Sequence, residues 1–217
     1  KNLTTLVLSK ILINKGIKVD LYYSNNNISM NRSNTISRTI GLSNDSIEFL
    51  ESQKILYKKN CWDIKKINLY KDESSKSFLN FESDKSNFFM ASYNDFYKSL
   101  EDKLKKNKLI KIRKEKRDNS FFKLLKKNYE IIIISDTNNC LFKKYFNKKI
   151  KKNYNSVAFT TIINHNNIKN NTAEQYFTKF GPLAFLPISN TKTSVVFSVF
   201  DKDVIKNNSK VLELIKN

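Results

Sequence analysis

Near its C-terminus the chain contains a regular alternation of side chains that restricts the fold more than any other feature. Over Val157–Asn164 the odd and even positions form two separate sets of residues, and three later stretches, 173–179, 183–188 and 193–200, continue the pattern. A period of two places successive side chains on opposite faces of a β-strand. Repeated over several strands, it is typical of an antiparallel sheet. The sequence therefore predicts a mainly antiparallel sheet in this part of the chain.

The N-terminal residues follow a different period. Apolar residues recur at helical spacing over residues 2–14, and Gly16 follows as a residue that ends helices. The run Ile17–Tyr23 then predicts a strand, so that helix and strand form half of a βαβ unit. Four consecutive isoleucines within Glu130–Ser135 predict another strand, buried on both faces as in a parallel sheet. We expect it to share a sheet with Ile17–Tyr23.

The two kinds of pattern interleave along the chain. Residues 1–60 and 91–152 have α/β character, whereas residues 61–90 and 153–217 are β-rich and end in a helix at Ser209–Ile215. The predicted fold class is α/β, with a Rossmann-like layer of parallel sheet and helices interleaved with a mainly antiparallel β-sheet domain. The chain would cross between the two domains more than once.

The charge is strongly basic, with 40 basic and 20 acidic residues among 217 and a formal net charge of +20. Such a charge fits nucleic acid or an anionic membrane. Only Arg32, Arg38, Arg113 and Arg117 are arginines, although arginine is the side chain that reads phosphates and bases in bidentate geometry. We therefore attribute the charge to the codon bias of an AT-rich genome and expect no specific nucleic acid partner. A nucleic-acid-binding module at Lys105–Arg117 is a separate hypothesis, although this stretch also fits a surface strand.

Few residues are available for metal or nucleophile chemistry. Cys61, Cys140 and His165 complete the set of cysteines and histidines, and their spacing forms no zinc site. We expect free thiols, which suit a reducing cytoplasm. No stretch reaches the roughly 18 apolar residues of a membrane-spanning helix, so that we expect a cytoplasmic protein with at most a peripheral contact at the inner membrane.

One string of residues resembles a known family. Residues 170–199, NNTAEQYFTKFGPLAFLPISNTKTSVVFSV, are similar to the A-x-Q-R-F…G-P-L-A-L-L-P segment of the flavin-dependent aromatic hydroxylases of ubiquinone biosynthesis, which are p-hydroxybenzoate hydroxylase-like monooxygenases. Tyr176 stands where that family usually has Arg. The matching positions are Ala173, Gln175, Phe177, Gly181, Pro182, Leu183, Ala184, Leu186 and Pro187.

Two further strings follow the order of the same family. Residues 37–56 resemble its R-x-x-A-L-S-x-x-S segment, with matches at Arg38, Leu42, Ser43 and Ser46. Residues 131–146 resemble its strand followed by A-D-G-x-x-S-x-x-R, where Asp136 matches. Thr137, Cys140 and Lys143 depart from the Gly, Ser and Arg of that segment.

The resemblance implies an aromatic-ring hydroxylase that uses FAD, NAD(P)H and O2 through a flavin hydroperoxide and acts on a prenylated phenol or quinone precursor. Arg38, Asp136 and Thr137 would bind FAD, and Gly181 and Pro182 would face the flavin ring and the substrate. The cofactor would carry the chemistry, so the resemblance implies no catalytic side chain and no metal. Other quinone-biosynthesis proteins are implied as partners.

The same resemblance also shows departures. The family's first strand, its Gly-rich turn and a C-terminal Gly-Asp segment find no counterpart in these residues, and we expect a fragment that lacks both ends. Tyr23 stands where the family has an acidic residue for the ribose, and strand alternation places Asp20 on the opposite face. The alternative function is a non-catalytic relative that serves as a structural or partner-binding component of a quinone-biosynthesis assembly.

Overall fold

A computed structural model of the chain describes residues 2–23, 38–72, 74–114, 119–135, 140–145, 150, 152–200 and 208–216. In chain order the helices and strands are α1 (Leu3–Asn14), β1 (Val19–Tyr23), β2 (Thr39–Leu42), α2 (Asn44–Ser52), a 3-10 turn (Lys58–Asn60), β3 (Trp62–Ile64), β4 (Lys66–Lys71), β5 (Leu79–Glu82), β6 (Phe88–Ser92), α3 (Tyr93–Lys105), β7 (Ile110–Lys114), α4 (Asn119–Asn128), α5 (Cys140–Tyr145), β8 (Val157–Asn164), β9 (Thr172–Thr178), β10 (Gly181–Ser189), β11 (Lys192–Val199) and α6 (Asn208–Lys216).

The chain packs as two compact units. The first comprises Lys1–Ile28 and Tyr97–Lys152, and the second comprises Ser29–Phe96 and Asn153–Asn217. The described residues 38–60, assigned from sequence to the α/β domain, lie in the second unit, because β2 pairs with β6 in a sheet of that unit.

The first unit is built around α1 and a parallel strand pair. Asn2 caps α1, since its Oδ1 accepts the Thr5 N–H at 2.9 Å and the Thr5 hydroxyl closes the reciprocal contact. Gly16 follows the helix with φ of 79°, a conformation that favours glycine. β1 then pairs with β7 in parallel, from Val19 opposite Ile110 onwards. The predicted helix, its glycine end and the strand after it are confirmed, and the basic stretch 105–117 contains a surface strand.

The prediction for Glu130–Ser135 was wrong. These residues form no strand, and Ile131, Ile132 and Ile133 are 77%, 39% and 54% exposed. The sheet that contains β1 has two strands, β1 and β7, among the described residues. Apolar side chains make a strand favourable only where a neighbouring strand pairs with its backbone, and within the described part of the chain this run has no such neighbour.

The second unit contains the predicted antiparallel sheet. Six strands lie in the order β5-β4-β9-β10-β11-β8, with β4 and β9 parallel and the other pairs antiparallel. On one face of this sheet α6 contributes Val211 to a core with Val195, Phe197 and Val199. A second core contains Ala173 together with Ile64 and Met90 of the three-stranded sheet β2-β6-β3. The mixed fold class and all four C-terminal strands are confirmed.

None of the described helices is long and apolar enough to cross a membrane.

Candidate functional site

Arg38 lies at the entrance to β2 in the second unit. Its guanidinium carbon is 4.7 Å from the centre of the Tyr93 ring, and its carbonyl oxygen accepts the Tyr93 N–H at 3.1 Å. The side chain is exposed. A planar guanidinium held against a ring keeps its N–H groups in a fixed plane, which suits the recognition of phosphate or another anion.

The two serines of the same sequence string have a structural role. Ser43 is the N-cap of α2 and accepts the Ser46 N–H at 3.2 Å, while the two hydroxyls are 2.9 Å apart. A serine at this position satisfies a helix N–H that would otherwise lack a partner. The similarity at Ser43 and Ser46 is therefore explained by the start of the helix.

Gly181 is required by the fold of its own sheet. Its φ is 135°, and a Cβ at this position would lie 1.9 Å from the Ser198 carbonyl oxygen. The Thr178 hydroxyl donates to the Gly181 carbonyl oxygen at 2.7 Å and fixes the turn between β9 and β10. Pro182 follows with an exposed side chain, opposite Phe177. The approach of β11 accounts for the glycine, and the role of Gly181 and Pro182 toward a flavin stays a prediction.

Tyr176, the departure from the family's Arg, belongs to a polar cluster on the six-stranded sheet. Its ring stacks on Tyr70 at 4.6 Å and 9°, and its hydroxyl donates to Glu174 at 3.2 Å. The Tyr70 hydroxyl reaches the same carboxylate at 3.4 Å. Burial, with the negative charge of Glu174, raises the pKa of Tyr176 to about 12. Sequence reasoning missed this cluster, because it depends on the parallel pairing of β4 with β9.

In the first unit, Asp20 is held by groups from two other elements. Arg113 Nε lies 3.1 Å from Asp20 Oδ2, and the Tyr129 hydroxyl donates to the same oxygen at 2.5 Å. The Tyr22 hydroxyl then donates to the Tyr129 oxygen at 2.8 Å. Asp20 and Tyr22 thus share a face, and Tyr23 lies on the other, as strand alternation predicted. Desolvation and the hydrogen bonds to Asp20 and Tyr22 raise the pKa of Tyr129.

The start of α1 contacts Ser135, the last described residue before Asp136. Asn2 Nδ2 lies 3.4 Å from the Ser135 hydroxyl oxygen, which brings the helix N-terminus next to the residue before Asp136. Leu3–Leu6 carry no acidic side chain, so the positive end of the helix dipole is available to an anion. Asp136 and Thr137 themselves lie outside the described residues, and their assignment stays a prediction.

The groups at the start of α1 and at the end of β1 differ in how well they fit the parts of FAD. The N-terminus of α1 suits the diphosphate, since backbone N–H groups and the dipole both favour negative charge. The ribose side does not fit in the same way, because Tyr23 replaces the carboxylate and Asp20 already accepts hydrogen bonds from two internal donors. The described residues therefore fit the phosphates of such a cofactor better than its ribose.

Among the side chains that the structure describes, neither Cys61 nor His165 supplies a nucleophile. Burial, followed by the charge of Glu51, raises the pKa of the Cys61 thiol to about 11, so that it stays protonated at neutral pH. His165 follows directly after β8, and both ring nitrogens contact neighbours, Nδ1 the Asn166 carbonyl oxygen and Nε2 the Thr193 hydroxyl. Both side chains serve the fold of the second unit.

Neither a protein-family model nor a curated protein sequence matches this chain. Solved structures do match. PqsL of Pseudomonas aeruginosa, a probable FAD-dependent monooxygenase, is 12% identical with a TM-score of 0.67, over 93% of this chain and 58% of its own. The p-nitrophenol 4-monooxygenase PnpA of Pseudomonas putida is 10% identical with a TM-score of 0.69, over 99% and 59%.

HpxO of Klebsiella pneumoniae, solved with FAD and uric acid, is 11% identical with a TM-score of 0.63, over 93% of this chain and 57% of its own. The chain thus spans less than 60% of the length of these proteins. At such low identity the likeness concerns the backbone arrangement. It establishes that this chain has the fold of the FAD-dependent monooxygenases.

Proposed function

We propose that the chain is part of an FAD-dependent monooxygenase that hydroxylates an aromatic ring. The observation that supports this most strongly is the fold, which matches flavin monooxygenases over more than nine tenths of the chain. The sequence string at 170–199 supports it independently, because it was identified from side chains and not from backbone geometry.

In this proposal the N-terminus of α1, Asp136 and Thr137 would be the FAD-binding groups of the first unit. Arg38 of the second unit is proposed separately as a cofactor-binding residue, on its motif and its guanidinium held over Tyr93. When bound, FAD would supply the redox chemistry with NAD(P)H as reductant and O2 as oxidant. The residues of this chain bind and orient. The capping box uses the Asn2 and Thr5 N–H groups, so the N–H groups of Leu3 and Thr4 would be the ones to bind the diphosphate. Arg38 would offer a cation to an anionic group.

We further propose a prenylated phenol on the route to ubiquinone as the substrate. This rests on the resemblance of residues 170–199 to the hydroxylases of that pathway. No acid or base is assigned to a side chain.

Titration of the purified chain with FAD, followed by flavin fluorescence, tests cofactor binding. We expect saturable binding that ADP competes away, because the phosphate side carries the recognition. FMN, which lacks the adenylate half, should bind more weakly. A folded chain that binds neither FAD nor ADP would contradict the proposal. In a flavin-loaded sample, the phenol should stimulate NAD(P)H oxidation and gain an oxygen atom from O2, detected by mass spectrometry.

A non-catalytic relative is the second candidate. It is favoured by the engagement of Asp20 with Arg113 and Tyr129, together with Tyr23 at the ribose position. The FAD titration separates the two functions. The non-catalytic relative predicts no flavin binding by a chain whose circular dichroism shows the described helices and strands.

A further inference from the structure

Four large apolar side chains are exposed together at one edge of the six-stranded sheet. This Phe patch consists of Phe78, Leu79, Phe81 and Phe177, each between 44% and 50% exposed. The Phe78 and Phe177 rings lie 6.0 Å apart. Leu79 pairs with Leu69, and Phe177 pairs with Lys71 two residues further along the same strand. Paired and alternate residues share a face, so the patch is one continuous surface.

The position of the patch makes it unusual. β5 is an edge strand of the sheet, and all four of its residues are exposed. Edge strands are normally protected from association by charges or proline. A cluster of exposed apolar side chains at such an edge marks an interaction surface.

Two lysines lie at the same end of the sheet as the patch, Lys71 at the end of β4 and Lys179 just after β9, where Phe180 packs against the core on the other face. Lys71 Nζ lies 5.9 Å from the centre of the Phe78 ring, and Lys179 Nζ lies 5.3 Å from that of Phe180. Both lysines are exposed. The neighbouring acid Asp72 accepts the Lys179 backbone N–H at 3.0 Å. The Lys66–Glu82 ion pair belongs to the opposite face, because its residues alternate with those of the patch.

We propose that the Phe patch docks the second unit onto an anionic phospholipid bilayer. The Phe and Leu side chains enter the boundary between headgroups and acyl chains, while Lys71 and Lys179 extend to the lipid phosphates. The net charge of +20 adds attraction over a longer range. A second copy of the chain fits this surface less well, because two patches placed face to face bring four like charges together.

Sedimentation with vesicles tests the inference on the whole chain. Vesicles of phosphatidylglycerol and phosphatidylcholine should bind the protein, and phosphatidylcholine alone should bind it at least tenfold more weakly. Phe78→Ser with Phe81→Ser leaves the charge unchanged and should weaken binding about tenfold. Lys71→Glu with Lys179→Glu should weaken it by a similar factor.

Lys123→Glu with Lys127→Glu on α4 is the charge-matched control, since both lysines are exposed in the first unit. We expect its vesicle affinity to stay within about threefold of that of the unchanged chain.

Equal losses in the two lysine pairs, or no loss in the serine variant, would reduce the binding to general polycation behaviour and overturn the proposal. A dimer in light scattering that the serine substitutions dissociate would assign the patch to a second copy. Tighter patch-dependent binding to single-stranded RNA would assign it to nucleic acid. Thermal unfolding of each variant separates loss of docking from loss of fold.

Discussion

Asp20 and Arg113 form an ion pair across the parallel strands β1 and β7, with Arg113 Nε 3.1 Å from Asp20 Oδ2. Arg113 stands opposite Tyr22 in the strand register, so the pair runs diagonally to Asp20. Tyr129 closes the arrangement from beyond the end of α4 by donating to the same carboxylate. The contacts among these three residues hold the end of α4 against β1 and β7, the only parallel strand pair described in the first unit.

Replacing Tyr129 by Phe should destabilise the first unit by about 1–2 kcal/mol, because the Asp20 carboxylate and the Tyr22 hydroxyl both lose a partner. Urea unfolding measures the change. Tyr22→Phe is the matched control and should cost less, since it removes the Tyr22 hydrogen bond and leaves the one to Asp20. Equal effects of the two substitutions would contradict the central position of Tyr129.

The stability of the second unit should depend on Tyr176 in alkaline solution. Its pKa is raised from 10.0 to about 12 in the folded chain, so the folded state holds the phenol proton more tightly than the unfolded state. This contribution is fully present below pH 10 and is lost as the pH rises toward 12. Unfolding midpoints of the unchanged chain and of Tyr176→Phe should therefore converge over that range. A constant difference between them would show that the phenol does not titrate as described.

Gly181→Ala should destabilise the second unit by about 3 kcal/mol or more, because the new Cβ meets the Ser198 carbonyl oxygen and φ is 135°. Gly41→Ala is the control, since its Cβ would lie 3.7 Å from the nearest side-chain atom, an ordinary contact. Thermal unfolding without any flavin checks both. If Gly181→Ala keeps the stability of the unchanged chain, the strain and close contact described here are not real.

Arg38→Ala should weaken FAD binding by about tenfold or more if the proposed function holds, because a hydrogen bond to a charged group is lost. Its effect on stability should be small, since the side chain is exposed. Flavin fluorescence titration gives the affinity, with Lys58→Ala as control, a second cation that lies over a ring, at 4.8 Å from the Phe89 centroid. Unchanged affinity in the Arg38 variant would remove it from the cofactor site.

Sequence periodicity predicted the elements whose stability is local. The helix at Leu3–Asn14 has its own cap, and strands β8 to β11 follow one another along the chain. It failed for Glu130–Ser135, where apolar character was present but no described strand pairs with it. Strand β6, Phe88–Ser92, was missed because its three central residues are all buried and show no alternation.

The candidate site residues also separate into those that a local sequence motif reveals and those that depend on distant strand pairing. Arg38 and Gly181 could be named as candidates because their motifs are contiguous in the sequence, and their role toward a cofactor stays a prediction. The Asp20 and Tyr176 clusters could not be named, because each depends on the register between strands that lie far apart in the chain. Register is set by the assembled sheet and not by either strand alone.

The pairing of β4 with β9 also governs when the second unit can be completed during synthesis. Trp62 Nε1 donates to the Asn170 carbonyl oxygen across a sequence separation of 108, and strands β4 and β9 pair close to this contact. Most of the first unit is translated between these partners. The hairpin of β4 and β5 is therefore synthesised well before β9, and the edge of β4 that later pairs with β9 is unpaired during that time. A contact of this sequence separation forms late and slowly. Until β9 emerges, the backbone groups along this edge of β4 lack the partner that they have in the folded sheet.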